Sequence, residues 1–139
     1  MDTTELASSL RSAVSNLHNG LRKQADSVKE YSMTEVETIA HLARSSSLLP
    51  TELASLTRVK TQSMSQILKK LETHGLTKRS PSKEDKRKVY ISLTSFGKKM
   101  VEKVTYDKDE WLKGAIEKLL TDKETEVLIK ALPVLNKLI

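Results

Sequence analysis

The sequence predicts a mainly α-helical chain that carries one small β-hairpin, an α+β fold in a single domain of residues 1–139. Three observations predict it. Apolar residues recur at spacings of three and four through most of the chain, the period of a helix with one buried side. Only residues 76–93 leave that period, with Val89, Ile91 and Leu93 alternating against Lys88, Tyr90 and Ser92 as on a strand. Four glycines and three prolines leave too few turn residues for an all-β fold. At 15.6 kDa there is room for one core. With 37% hydrophobic and 30% charged residues the composition is that of a folding chain and not of a disordered one.

The elements follow in order. Leu6, Leu10, Val14, Leu17, Leu21 and Val28, with Ala13 and Ala25 on the same side, predict an amphipathic helix over residues 5–29 that Gly20 weakens without interrupting. Thr34 and Glu37 have the spacing of a capping box and place the next helix start there, with Val36, Ile39, Ala40 and Leu42 or Ala43 facing inward. Residues 45–47 end it. Pro50 suits the first position of a short third helix containing Leu53, Ala54 and Leu56, and the turn at 58–60 leads into a fourth.

In the fourth helix, residues 61–74, Met64, Ile67, Leu68 and Leu71 form the buried stripe. The opposite face is Gln62, Gln66, Lys69 and Thr73, flanked by Ser63, Ser65 and Lys70, so every outward group carries positive charge or forms hydrogen bonds. Gly75 is a C-cap. Residues 76–80 and 88–93 then pair as a hairpin whose tip, residues 81–87, is charged.

Thr94 caps a helix to about residue 120, with Phe96, Met100, Val104, Trp111, Ala115 and Leu119 along its seam. At ~1.5 Å per residue it measures about 40 Å, longer than a compact body of this mass requires. Thr121 and Glu124 form a capping box that opens a last helix with Val127, Leu128, Ala131, Leu132, Leu135 and Leu138, and Pro133 predicts a kink in it. These outer helices, 5–29 and 94–139, carry more apolar surface than one small domain covers, which predicts a two-fold homodimer.

Composition narrows the function. The chain has 24 Lys and Arg against 18 Asp and Glu, a net charge of +6. Its distribution is uneven: residues 58–103 hold 13 basic and four acidic side chains, and the remainder 11 basic and 14 acidic. A basic middle between acidic flanks suits a nucleic-acid footprint. Without cysteine the chain has no disulfide, thiolate zinc site, cysteine nucleophile or thiol sensor. His18, His41 and His74 lack metal-ligand spacing, and Asp107, Asp109 and Glu110 read as a solvated helix face, so no metal or cofactor is expected. Phosphate-loop, nucleophile-elbow and zincin motifs are missing, which disfavours an enzyme. No bilayer-length apolar run or signal-peptide pattern occurs, so a cytoplasmic protein without membrane partners is expected.

Helix, short helix, turn, polar-faced helix and basic hairpin is the order of a winged helix-turn-helix, here residues 34–93. The residues that fill this order resemble the MarR family of transcriptional regulators. They are Glu52-Leu53-Ala54, Val59 with Gln62-Ser63-Met64-Ser65, Leu71-Glu72, Gly75-Leu76 with Arg79, Asp85 and Arg87 two apart, and Leu93-Thr94 with Gly97. Together they cover about residues 34–100. The resemblance implies a homodimer whose first and last two helices interlock, with residues 60–74 as recognition helix and 80–88 as wing. It also implies that Arg87 reaches the minor groove and that Asp85 fixes the wing. Leu49, where relatives often carry a capping Ser or Thr, and Thr61, where many carry proline, depart from the pattern.

The expected function is therefore a dimeric, sequence-specific regulator of a palindromic operator on double-stranded DNA, most often a repressor in this family. The resemblance further implies release by a small-molecule effector bound between the DNA-binding lobe and the dimer helices. The DNA-facing set is Lys60, Thr61, Gln62, Ser63, Ser65, Gln66, Lys69 and Lys70 on the helix, with Lys83, Asp85, Lys86, Arg87 and Lys88 on the wing. The alternative is a winged-helix protein-interaction module, which needs no basic tip.

Overall fold

The structure, a computed structural model, describes residues 1–139 apart from the side chain of Asp26. Its elements are α1 (Thr3–Lys23), a short 3₁₀ turn (Asp26–Val28), α2 (Met33–Arg44), α3 (Pro50–Thr57), α4 (Thr61–Thr73), β1 (Thr77–Pro81), β2 (Val89–Leu93), α5 (Ser95–Leu119) and α6 (Asp122–Asn136). They form two compact units, residues 26–105 and residues 1–25 with 106–139.

In the first unit the core is built from one side of each element. Ile39 and Leu42 of α2, Leu53 and Ala54 of α3, Met64, Leu68 and Leu71 of α4, and Ile91 and Leu93 of β2 are all buried, with Val28, Tyr31 and Leu76 from the connections. Full burial of a Leu, Ile or Met side chain contributes roughly 1.5–3 kcal/mol, so this cluster dominates the unit's stability. The hairpin pairs antiparallel in the register Thr77 with Leu93, Lys78 with Ser92 and Arg79 with Ile91. Leu48 adds a single bridge to Ile91, donating its N–H at 2.9 Å and accepting at 2.8 Å.

Helix ends explain the turns. Leu76 N–H donates to Leu71 carbonyl and Gly75 N–H to Glu72 carbonyl, both at 2.9 Å, with Gly75 at φ 76°. This double closure needs a left-handed residue, and glycine takes it without a Cβ penalty. At the end of α3 the same closure recurs, Val59 to Ala54 and Arg58 to Ser55, but here Arg58 holds the left-handed φ of 57°. The start of α5 then packs on the end of α4. Thr94 donates its hydroxyl to Gly75 carbonyl and accepts from Gly97 N–H, and a Cβ on Gly97 would collide with the Leu76 carbonyl oxygen.

The second unit, α1, the later part of α5 and α6, contrasts with it. Neither α1 nor α6 buries a residue fully. Val127 and Leu132 are 64% and 57% exposed, and Leu6, Val14, Leu17, Leu128, Ile129 and Leu138 are exposed too. A Cβ on Gly20 would meet Trp111 at 3.5 Å, an ordinary contact, so α1 and α5 touch there. The Thr121–Glu124 capping box is present, and α6 continues helical through Pro133.

Several boundaries differ from the sequence reading. The first helix begins at Thr3 because Asp2 and Glu5 form a capping box, and stops at Lys23 instead of running to residue 29. There Gln24 N–H turns back to Leu21 carbonyl and Ala25 N–H to Arg22 carbonyl, three-residue bonds that tighten and close the helix. The α2 cap is Ser32 with Glu35, not Thr34 with Glu37. Thr34 lies inside the first turn, where its carbonyl accepts the Thr38 hydroxyl. Phe96 and Leu119 sit exposed rather than along a seam, because neither end of α5 is covered within its own unit.

Candidate nucleic-acid interface

The exposed side of α4 follows from its period. With Met64, Leu68 and Leu71 turned into the core, Gln62, Ser63, Ser65, Gln66 and Lys69 are left exposed on one surface, and Lys60 and Thr61 are exposed at its start. Ser65 donates back to Thr61 carbonyl at 3.1 Å. Lys60 provides no side-chain cap and the first turn contains no acid, so the amides there keep their donors for an external acceptor.

Lys70 is placed differently from the outward position expected of it. Its Nζ lies 2.9 Å from Glu35 Oε1 and 3.4 Å from Glu30 carbonyl oxygen, and 5.2 Å from the centre of the Tyr31 ring. One residue beyond Lys69 is a turn of about 100° around the helix, enough to carry a lysine from the exposed face onto the start of α2. Tyr31 Oη in turn lies 2.8 Å from His74 Nδ1. Burial, with Glu30 and Glu35 nearby, raises the Tyr31 pKa, so the phenol keeps its proton and donates to the imidazole. Burial alone would raise the Glu35 carboxyl, but the Lys70 and Ser32 hydrogen bonds outweigh it and hold it below its usual range. These four side chains brace the C-terminal half of α4 against α2. Sequence reasoning missed them, although Ser32-x-x-Glu35 is itself a capping-box signal that marks where Glu35 stands.

The wing is a folded loop. Ser82 N–H donates to Lys88 carbonyl at 2.9 Å, Lys88 N–H to Asp85 carbonyl at 3.0 Å, and the Ser82 hydroxyl accepts from Glu84 and Asp85 N–H. Asp85 Oδ1 accepts from both the backbone N–H and Nε of Arg87, and Oδ2 from Nη2 at 3.4 Å. The Arg87 side-chain and backbone hydrogen bonds hold the Asp85 carboxyl below its ordinary pKa. Lys83, Lys86, Arg87 and Lys88 are all exposed around this frame. Arg79 Nε reaches Glu72 Oε2 at 2.8 Å, tying β1 to α4. Among the described residues no group of three His, Asp or Glu is placed to hold a metal, and no helix is long and apolar enough to cross a membrane.

Three short helices, the last with a polar and basic outer surface, followed by an antiparallel hairpin with a basic tip, define a winged helix-turn-helix. Known proteins narrow the class. The MarR family model matches residues 31–89. An HTH-type transcriptional regulator of Mycobacterium tuberculosis is 31% identical over 121 residues, covering 87% of this chain and 82% of that protein. A transcriptional regulator from Thermotoga maritima shares the fold with a TM-score of 0.80 at 18% identity, over 94% of each chain. A MepR mutant from S. aureus, bound to an oligodeoxyribonucleotide in its crystal, shares it at 0.71 and 22% identity, over 96% of this chain and 98% of that one. The chain belongs to the MarR family of transcriptional regulators.

Proposed function

We propose that the chain acts as a homodimeric, sequence-specific repressor of a palindromic operator, released when a small molecule binds. The observation that carries this reading is the shared placement, on one unit, of an exposed amide- and lysine-bearing helix surface and a rigid basic wing. Gln62 and Gln66 lie one turn apart on that surface, and a glutamine amide pairs bidentately with adenine N6 and N7 in the major groove. Lys69 and the uncapped amides at the start of α4 suit phosphates. Arg87, 91% exposed by its side chain, suits the narrow minor groove where negative potential is strongest. The MepR complex with DNA on the same fold supports the nucleic-acid partner.

Dimerisation is supported by the uncovered apolar side chains of α1 and α6, an exposure that a lone soluble chain rarely tolerates. Selection of bound duplexes from a random pool tests the reading. A palindrome with half-sites about one helical turn apart is the expected result. Recovery of duplexes with no common motif overturns sequence specificity, and a single unrepeated half-site overturns the dimer.

A further inference from the structure

Within residues 26–105 the structure has a cleft of about 540 Å³, inside the range of small-molecule sites. It lies where the end of α2, the paired residues Lys78 and Ser92, and the first turns of α5 meet. Leu42 and Val101 give it apolar surface. Arg44, Lys78 and Lys98 bring three cations to it against the single carboxylate of Glu102, and no ion pair engages those cations among the described residues. The Arg44 guanidinium makes one long contact, 3.5 Å, to His41 Nδ1.

Strand alternation separates this cleft from the surface described above. Arg79 reaches Glu72 on α4, so Lys78, one residue earlier, projects from the opposite face of the hairpin. The cations here are consequently not a continuation of the α4 surface. A phosphodiester backbone needs a convex, uniformly basic track, whereas this site is concave, partly apolar and carries Glu102. Three cations around apolar side chains and serine hydroxyls match a small organic anion with a flat apolar body.

We infer that this cleft binds a small aromatic or aliphatic carboxylate, its charge set among Arg44, Lys78 and Lys98 and its body against Leu42 and Val101. The inference rests on the effector reading only for its regulatory consequence. Through Lys78 and Ser92 the ligand would touch the hairpin whose neighbouring residue Arg79 holds α4, giving it a handle on both wing and recognition helix.

The test uses the full chain and three probes of one shape: naphthoate, neutral naphthamide and cationic naphthylmethylammonium. Titrations are followed by backbone amide NMR shifts, first without DNA. Naphthoate is expected to give saturable shifts at residues 42–46, 78, 92–93 and 98–102, with naphthamide weaker by roughly fivefold or more, the factor that about 1 kcal/mol of charge recognition gives, and the cation weaker still. The double variant Lys78→Gln, Lys98→Gln should lose the preference for the anion while keeping the parent spectrum elsewhere. Absent or non-saturable shifts, equal binding of naphthoate and naphthamide, or unchanged binding by the double variant overturns the site. DNA affinity is measured next. Site binding that leaves DNA affinity unchanged upholds the cleft and overturns only the effector reading. Weaker DNA binding by the double variant, with no naphthoate binding by the parent, assigns the cations to DNA and overturns the proposal.

Discussion

The Asp85 carboxylate accepts three hydrogen bonds from one residue, Arg87: from its backbone N–H, its Nε and its Nη2. Both side chains stand at the tip of an otherwise exposed loop, so the pair organises the wing more than it stabilises the protein. Replacing Asp85 by Ala should leave the melting temperature nearly unchanged and weaken DNA binding several-fold. Fluorescence anisotropy with labelled duplex measures the second, calorimetry the first. Because the folded carboxyl is held below its ordinary pKa, the ordering is complete above that ordinary value and fades as pH falls through the depressed one. At neutral pH the wing is therefore fully fixed.

Adjacent lysines on α4 should behave oppositely. Lys69→Ala should change stability little and reduce the salt dependence of binding, by ~0.9 in log–log slope for each phosphate that is no longer neutralised. Lys70→Met should destabilise by about 1–2 kcal/mol, since it leaves Glu35, 10% exposed by its side chain, without its cation, a cost discounted for Lys70's own 37% exposure. The Glu35–Lys70 contribution is present above the ordinary carboxylate pKa and fades as pH falls through Glu35's depressed value, so the two proteins should converge in stability in acid. Denaturant melts at neutral and acidic pH check this.

Two backbone positions carry opposite predictions. Gly97→Ala drives a carbon into the Leu76 carbonyl oxygen, backbone against backbone, and should cost about 2–4 kcal/mol or prevent folding. Arg58→Gly relieves a left-handed arginine and should add about 0.5–1 kcal/mol. Urea denaturation of each variant gives both values.

Much of the fold was legible in the sequence because its signals are local. The stripe Met64, Leu68, Leu71 orients α4, the alternation around Ile91 and Leu93 orients β2, and Thr121 with Glu124 starts α6. Failures came where two local signals competed or a partner was distant in sequence. Residues 32–37 contain two overlapping capping boxes, and spacing alone does not say that Ser32 and not Thr34 holds the extended backbone of an N-cap. Lys70 reads as one more cation on a basic helix, and only the chain's return of Tyr31 and Glu35, 39 and 35 residues earlier in sequence, turns it into a brace. The period through Ala25 and Val28 persists across a break, because apolar spacing does not register the tightened turn at Gln24.

The apolar surfaces of α1 and α6 make assembly testable directly. Sedimentation should give a mass near twice 15.6 kDa, and Leu128→Asp with Leu132→Asp should lower it to one chain. A parent protein that sediments as a single chain contradicts the dimer.

The most direct test of the central claim, that the outer surface of α4 reads base sequence, is the affinity of Gln62→Ala and Gln66→Ala for the selected operator and for a scrambled duplex of equal length at one salt concentration. Removing a bidentate pairing with adenine should cost ~1–3 kcal/mol on the operator and almost nothing on the scrambled duplex, whose binding rests on phosphates. Equal losses on both duplexes, or none on either, would contradict the account, because the helix would then position the protein without reading the site.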